Sequence, residues 1–66
     1  MIVKANGTEY EMPEGALLND LLELRNMSIN SVAVWINGRQ PMYSEYPSLE
    51  LKDGDELKLY YMCIGG

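Results

Sequence analysis

Residues 53–66 read Asp53-Gly54-Asp55-Glu56-Leu57-Lys58-Leu59-Tyr60-Tyr61-Met62-Cys63-Ile64-Gly65-Gly66. Asp-Gly-Asp is turn chemistry: glycine accepts positive φ, and the flanking carboxylates bond nearby backbone. Residues 56–62 then alternate as a half-buried strand does. Leu57, Leu59 and Tyr61 fall on one face, and Lys58, Tyr60 and Met62 on the other. The stretch finishes on two residues without side chains. Glycine loses more conformational freedom on folding than any other residue and has nothing to pack. At background usage, a terminal pair arises by chance in roughly one chain in two hundred. The expectation is a flexible tail, Ile64-Gly65-Gly66, whose Gly66 carboxylate is the working group. Its lack of side chains would let it enter a narrow active site on another protein. Taken alone, the tail also fits an ordinary frayed terminus. The body in front of it decides between the two.

That body is small. Sixty-six residues make one domain, 1–66, with a thin core and too little interior for a deep pocket. The hydrophobic fraction of 47% is high enough for folding. The net charge of −5 argues against nucleic acid and anionic membranes, and favours a partner with a basic docking face. A single cysteine, Cys63, permits no internal disulfide, which fits a reducing compartment. No apolar run approaches the ~18 residues that a membrane span needs. The first residues lack the layout of a secretory signal. A cytoplasmic protein, monomeric when free, is expected.

Upstream, Met1 to Ala5 is apolar and extended, and Asn6-Gly7 is the strongest short hairpin signal there is. Thr8, Tyr10 and Met12 then alternate with Glu9 and Glu11, as on a half-buried edge strand. Pro13-Glu14-Gly15 breaks the strand. From Ala16 the period changes: Leu17, Leu18, Leu21 and Leu22 make a helical stripe of two to three turns. Ala16 stands where a capping Ser, Thr or Asp is expected. Residues 26–30 read as loop. Val32-Ala33-Val34-Trp35-Ile36 is the clearest strand, and Asn37-Gly38 closes it with a second hairpin-type turn. Residues 39–48 are turn-rich, and Leu49-Glu50-Leu51 is a short extended piece. One helix against one face of a small sheet is an α+β plan.

The order strand, strand, helix, strand, short strand, strand, then Gly-Gly, resembles the β-grasp, the ubiquitin-like fold. More closely it resembles the ThiS/MoaD sulfur carriers, and the thiamin-biosynthesis carrier above all. The resemblance rests on Asn6-Gly7, the leucine-rich helix, Val32-Ala33-Val34 with Asn37-Gly38, Lys52-Asp53-Gly54-Asp55 and Gly65-Gly66. It implies a mixed sheet with one helix packed on one face. It also implies that the chain is a co-substrate rather than an enzyme. An adenylating enzyme of the ubiquitin-activating type uses ATP to turn the Gly66 carboxylate into an acyl-adenylate. A sulfur donor such as a cysteine desulfurase then leaves a thiocarboxylate there. Thiazole synthase would consume the sulfur, or, in a molybdopterin pathway, the large subunit of molybdopterin synthase. No cofactor or metal is expected on the chain itself. A ubiquitin-like modifier that forms isopeptide bonds, and a plain interaction module, are the readings from other classes.

The residues agree by omission. There is no histidine for a triad, and no glycine-rich phosphate loop. Asp53 and Asp55 read as turn residues rather than a calcium loop, which needs several more oxygens. Cys63 reads as a small apolar residue at a strand end. If Leu57, Leu59, Tyr61, Val32, Val34 and Ile36 face the helix, then Ala33, Trp35, Lys58, Tyr60 and Met62 face out. Aromatics and Met on a wet sheet face suggest a partner-docking surface. A flipped register would instead put them in the core.

Overall fold

The computed structural model describes residues 1–61. Four strands form one mixed sheet: β1 (Ile2–Ala5), β2 (Thr8–Glu11), β3 (Val32–Ile36) and β4 (Glu56–Tyr61). Their order across the sheet is β2-β1-β4-β3. β1 pairs antiparallel with β2 and parallel with β4, while β3 pairs antiparallel with β4. A single α-helix among the described residues, α1 (Leu18–Leu24), lies on one face. The fold is a β-grasp, as the sequence order implies.

Both asparagine-glycine pairs turn the chain as expected. Asn6 and Gly7 take φ of 51° and 84°, and Asn37 and Gly38 take 50° and 80°. Positive φ at both central positions gives the primed turn that matches the right-handed twist of paired strands. The asparagine side chains do more than permit the turns. Asn6 Oδ1 accepts from the Leu59 N–H at 2.8 Å, and its Nδ2 donates to the Leu59 carbonyl at 3.0 Å. Asn37 Oδ1 accepts from the Glu56 N–H at 3.0 Å. Each asparagine thus adds a rung to β4 from one flank.

The helix starts one residue later than the pattern predicts. Leu17, not Ala16, is the N-cap, and its N–H donates to Asp20 Oδ2 at 2.9 Å. Ala16 is buried, and its carbonyl accepts from Leu51 N–H at 2.8 Å. Leu18 N–H donates to the Leu49 carbonyl at 2.8 Å, so the short extended piece at 49–51 anchors the helix entrance. Beyond the C-cap Arg25 the chain turns away at Asn26, with φ of 55°. Asn26 N–H donates to the Glu23 carbonyl and Met27 N–H to that of Leu22, the Schellman pattern that satisfies orphan carbonyls.

The core lies between the sheet and α1. Val3, Ala5, Val32, Val34, Ile36, Leu57 and Leu59 meet Leu18, Leu21, Leu22, Met27, Tyr46 and Leu51. Segments read as loop hold two short 3-10 helices, Ile29–Ser31 and Tyr43–Ser48. The second buries Tyr46, whose hydroxyl accepts from the Val34 N–H at 3.0 Å. One donor on the outer side of β3 is thereby satisfied, which blunts an edge strand.

Tyr61 differs from expectation. Alternation puts it on the helix-facing side with Leu57 and Leu59, yet it is 68% exposed. It pairs with Val32, the first residue of β3, at the end of the ladder. Val32 beside it is fully buried, so the covering layer reaches this far on the β3 side. On the other side β1 pairs with β4 only at Glu56 and Leu57, and Tyr61 has no strand neighbour there.

Asp53 and Asp55 use their carboxylates on the turn. Asp53 Oδ1 accepts from Ile2 N–H at 2.8 Å. The buried Asp55 accepts from Lys52 N–H at 2.7 Å and from Asn37 Nδ2 at 3.0 Å, joining the last turn to the second hairpin. Asp55→Ala leaves both donors without their acceptor and is expected to cost about 2 kcal/mol. Urea unfolding measures this; an unchanged midpoint would show that other acceptors take over.

Candidate functional site: the outer face of the sheet

Among the described residues, nothing covers the face opposite α1. Burial alternates along the two strands that build it: in β4 Leu57 and Leu59 are buried while Glu56, Lys58 and Tyr60 are exposed. In β3 Val32, Val34 and Ile36 are buried, Ala33 is half-buried and Trp35 is exposed. The register sets Ala33 opposite Tyr60 and Trp35 opposite Lys58. Directly opposed residues hold their Cβ atoms about 4.5–5.5 Å apart, and diagonal ones remain within reach of aromatic rings. Trp35, Tyr60, Lys58 and Ala33 therefore form one contiguous surface, as alternation predicts.

That surface is concave. A shallow hollow of about 580 Å³ is lined by Trp35, Asn37, Gly38, Glu56, Lys58 and Tyr60. A second, on the other flank of β4, is lined by Asn6, Gly7, Glu56, Leu57, Lys58 and Tyr60. Lys58 and Tyr60 make the ridge between them, and each Asn-Gly turn forms one far wall. The asparagine rungs onto Glu56 and Leu59 hold this ridge in place. Trp35 is 39% exposed and Tyr60 52%, so each offers a large ring to solvent on a backbone fixed by ladder bonds.

Sequence reasoning read Asn37 and Gly38 as a turn only and did not count them or Glu56 as site residues, yet all three line the first hollow. Glu56 could have been found: it lies two residues before Lys58, on the same face of the strand. The asparagine's bonding to β4 leaves no sequence signal beyond the turn itself.

The remaining expected site residues, Met62, Ile64, Gly65 and Gly66, lie outside the described residues, as does Cys63. β4 leads directly into them, and its last described residue is at the Ala33 end of the face. No helix among the described residues is long and apolar enough to cross a membrane.

No protein-family profile matches the chain, and no curated protein matches it. Solved structures do. The chain is similar to the crystal structure of thiamine biosynthesis protein ThiS from Geobacter metallireducens, at 26% identity and a TM-score of 0.77, over 100% of both chains. It is similar also to the solution structure of a thiamine biosynthesis protein from the same organism. There the identity is 25% and the TM-score 0.74, over 100% of this chain and 88% of the other. A ubiquitin-like protein from Caldiarchaeum subterraneum shares the fold, at 21% identity and a TM-score of 0.52, over 98% of this chain and 100% of that one.

Proposed function

We propose that this chain, a β-grasp of the ThiS type, is a sulfur carrier, most directly for thiazole formation in thiamin biosynthesis. The observation that carries the reading is the likeness to ThiS along the entire length of both chains, at 26% identity. It is joined by a sequence that runs from β4 through Met62, Cys63 and Ile64 to Gly65 and Gly66.

The chemistry belongs to the last carboxylate. A carboxylate is a poor electrophile, because its charge is shared over two oxygens. Attack by the Gly66 carboxylate on the α-phosphorus of ATP, within an adenylating enzyme, releases pyrophosphate and gives an acyl-adenylate. The terminal sulfur of a persulfide, supplied by a cysteine-desulfurase-type donor, then adds to the acyl carbon, and AMP departs with the bonding electron pair. A second thiol attacks the donor-side sulfur of the resulting acyl disulfide, forms a disulfide with it, and leaves the thiocarboxylate. That sulfur is anionic at neutral pH and more nucleophilic than oxygen, which suits a donor to a thiazole synthase. The chain contributes a handle and a docking face, Trp35, Lys58, Tyr60 and Ala33 with Met62, and works in the cytoplasm. Catalysis belongs to the partners.

Intact-mass spectrometry tests the reading. Incubation with the adenylating enzyme, ATP and a sulfur source is expected to replace one oxygen by sulfur, and fragmentation to locate it on Gly66. An unchanged mass, with an enzyme shown to be active, overturns the reading. High-mass conjugates to lysines of other proteins would point instead to a ubiquitin-like modifier.

A further inference from the structure

The apolar hollow adjoins a strip of carboxylates, and the two share a residue. Lys4 on β1 is paired with Glu9 on β2 and with Glu56 on β4, and Ile2 is paired with Glu11. Val3 and Ala5 point into the core, so Ile2 and Lys4, with the glutamates opposite them, point out. A concavity of about 380 Å³ on this half of the face is lined by Ile2, Lys4, Glu9, Asp53, Asp55 and Glu56, with Gly54. Glu56 lines this concavity and the aromatic hollow alike. The face is therefore divided. Its β3–β4 half carries Trp35, Tyr60, Ala33 and the cationic Lys58. Its β1–β2 half carries Glu9, Glu11 and Asp53 against Lys4 alone, with Glu56 of β4 at the boundary.

We propose that this face receives a protein surface of matching division: an apolar or aromatic side chain seated among Trp35, Lys58 and Tyr60, and basic side chains laid along Glu56, Glu9 and Glu11. Charge complementarity selects the occupant. A second copy stacked face to face has the same excess of carboxylates and a net charge of −5 to bring against this one, and nucleic acid is repelled outright. A basic protein surface is attracted over the strip and fixed in register by the hollow beside it. The two halves then do different work. Exposed rim charges act mainly on the association rate and on its salt dependence, while a desolvated aromatic anchor acts on dissociation.

The proposal rests on the sulfur-carrier reading only for the choice of probe, the adenylating enzyme of the same organism. Its association and dissociation rates are followed by stopped-flow fluorescence at low and physiological salt, for the unmodified chain, a Glu9→Gln/Glu56→Gln variant, Lys4→Gln and Trp35→Ala. The double variant is expected to associate about tenfold more slowly at low salt and to lose most of the salt dependence, with dissociation little changed. Lys4→Gln is expected to speed association, and Trp35→Ala to speed dissociation. Association that is insensitive to salt and to both glutamates overturns the proposal, even if sulfur is loaded normally. The expected rate pattern with no gain of sulfur supports the divided face and overturns the carrier reading. An absence of binding overturns both.

Discussion

Leu57→Ala is expected to remove about 2–5 kcal/mol of stability, the range for deleting most of a fully buried aliphatic side chain. Leu57 is 1% exposed. It lies in the interior strand β4, opposite Ala5 on one side and Ile36 on the other. Both strand partners, Ala5 and Ile36, are held by ladder bonds, which limits how far the site can close. A chain of 66 residues has roughly 3–10 kcal/mol of stability in all. The substitution therefore removes a large part of it. For a domain of this size, each kcal/mol lowers the melting temperature by about 4–8 °C. Thermal unfolding followed by circular dichroism is the measurement. Lys58→Ala is the matched control: one residue along the same strand, exposed, and expected to stay within about 0.5 kcal/mol of the parent. Equal losses at 57 and 58 would contradict the burial alternation on which the outer face depends.

Trp35→Ala is expected to separate folding from docking. In the free domain Trp35 is 39% exposed and sits on β3, at the edge of the sheet. Its truncation should cost the fold less than the ~3–5 kcal/mol of a buried aromatic. In the proposed complex the same ring would be a desolvated anchor, and its truncation is expected to cost about 2 kcal/mol of binding or more. That is roughly thirtyfold in dissociation constant. Denaturant unfolding of the free variant, beside its affinity for the adenylating enzyme, gives both numbers. A small unfolding loss with a large affinity loss supports the docking role. An affinity loss that only tracks the unfolded fraction removes Trp35 from that role.

Much of this molecule can be read from local rules, because its elements obey them one at a time. Asn6-Gly7 and Asn37-Gly38 specify turns through backbone conformations that few other pairs adopt. The alternation in β3 and β4 assigns faces correctly at Val32, Val34, Trp35, Leu57, Leu59 and Tyr60. What escapes is set by distance along the chain. Tyr61 obeys the alternation and is still exposed, because β1 pairs with β4 only as far as Leu57 and leaves that side of Tyr61 without a strand. Ala16 resembles a missing cap, because its pairing with Leu51 is made by a segment more than thirty residues away. Tyr46 stands in a stretch rich in proline and polar residues, and nothing local indicates that its hydroxyl meets the Val34 backbone. The candidate surface shows the same split. Its aromatic ridge is legible strand by strand, whereas the strip of Glu9, Lys4 and Glu56 appears only once β1 is placed beside β4.

The parallel pairing of β1 with β4 has a mechanical consequence. The two strands run the same way, so the chain enters β1 at one end of the pair and leaves β4 at the other. Tension applied beyond Tyr61 and resisted at Ile2 drives the strands past each other lengthwise. The rungs between them, with the antiparallel bonds from β3, are then strained together. They are not peeled open one after another, as they would be in a hairpin pulled from its open end. The side-chain rungs from Asn6 and Asn37 add to the same resistance. In the proposed carrier role, an enzyme that pulls on the chain beyond Tyr61 loads these rungs in shear. The body is expected to stay folded under that load.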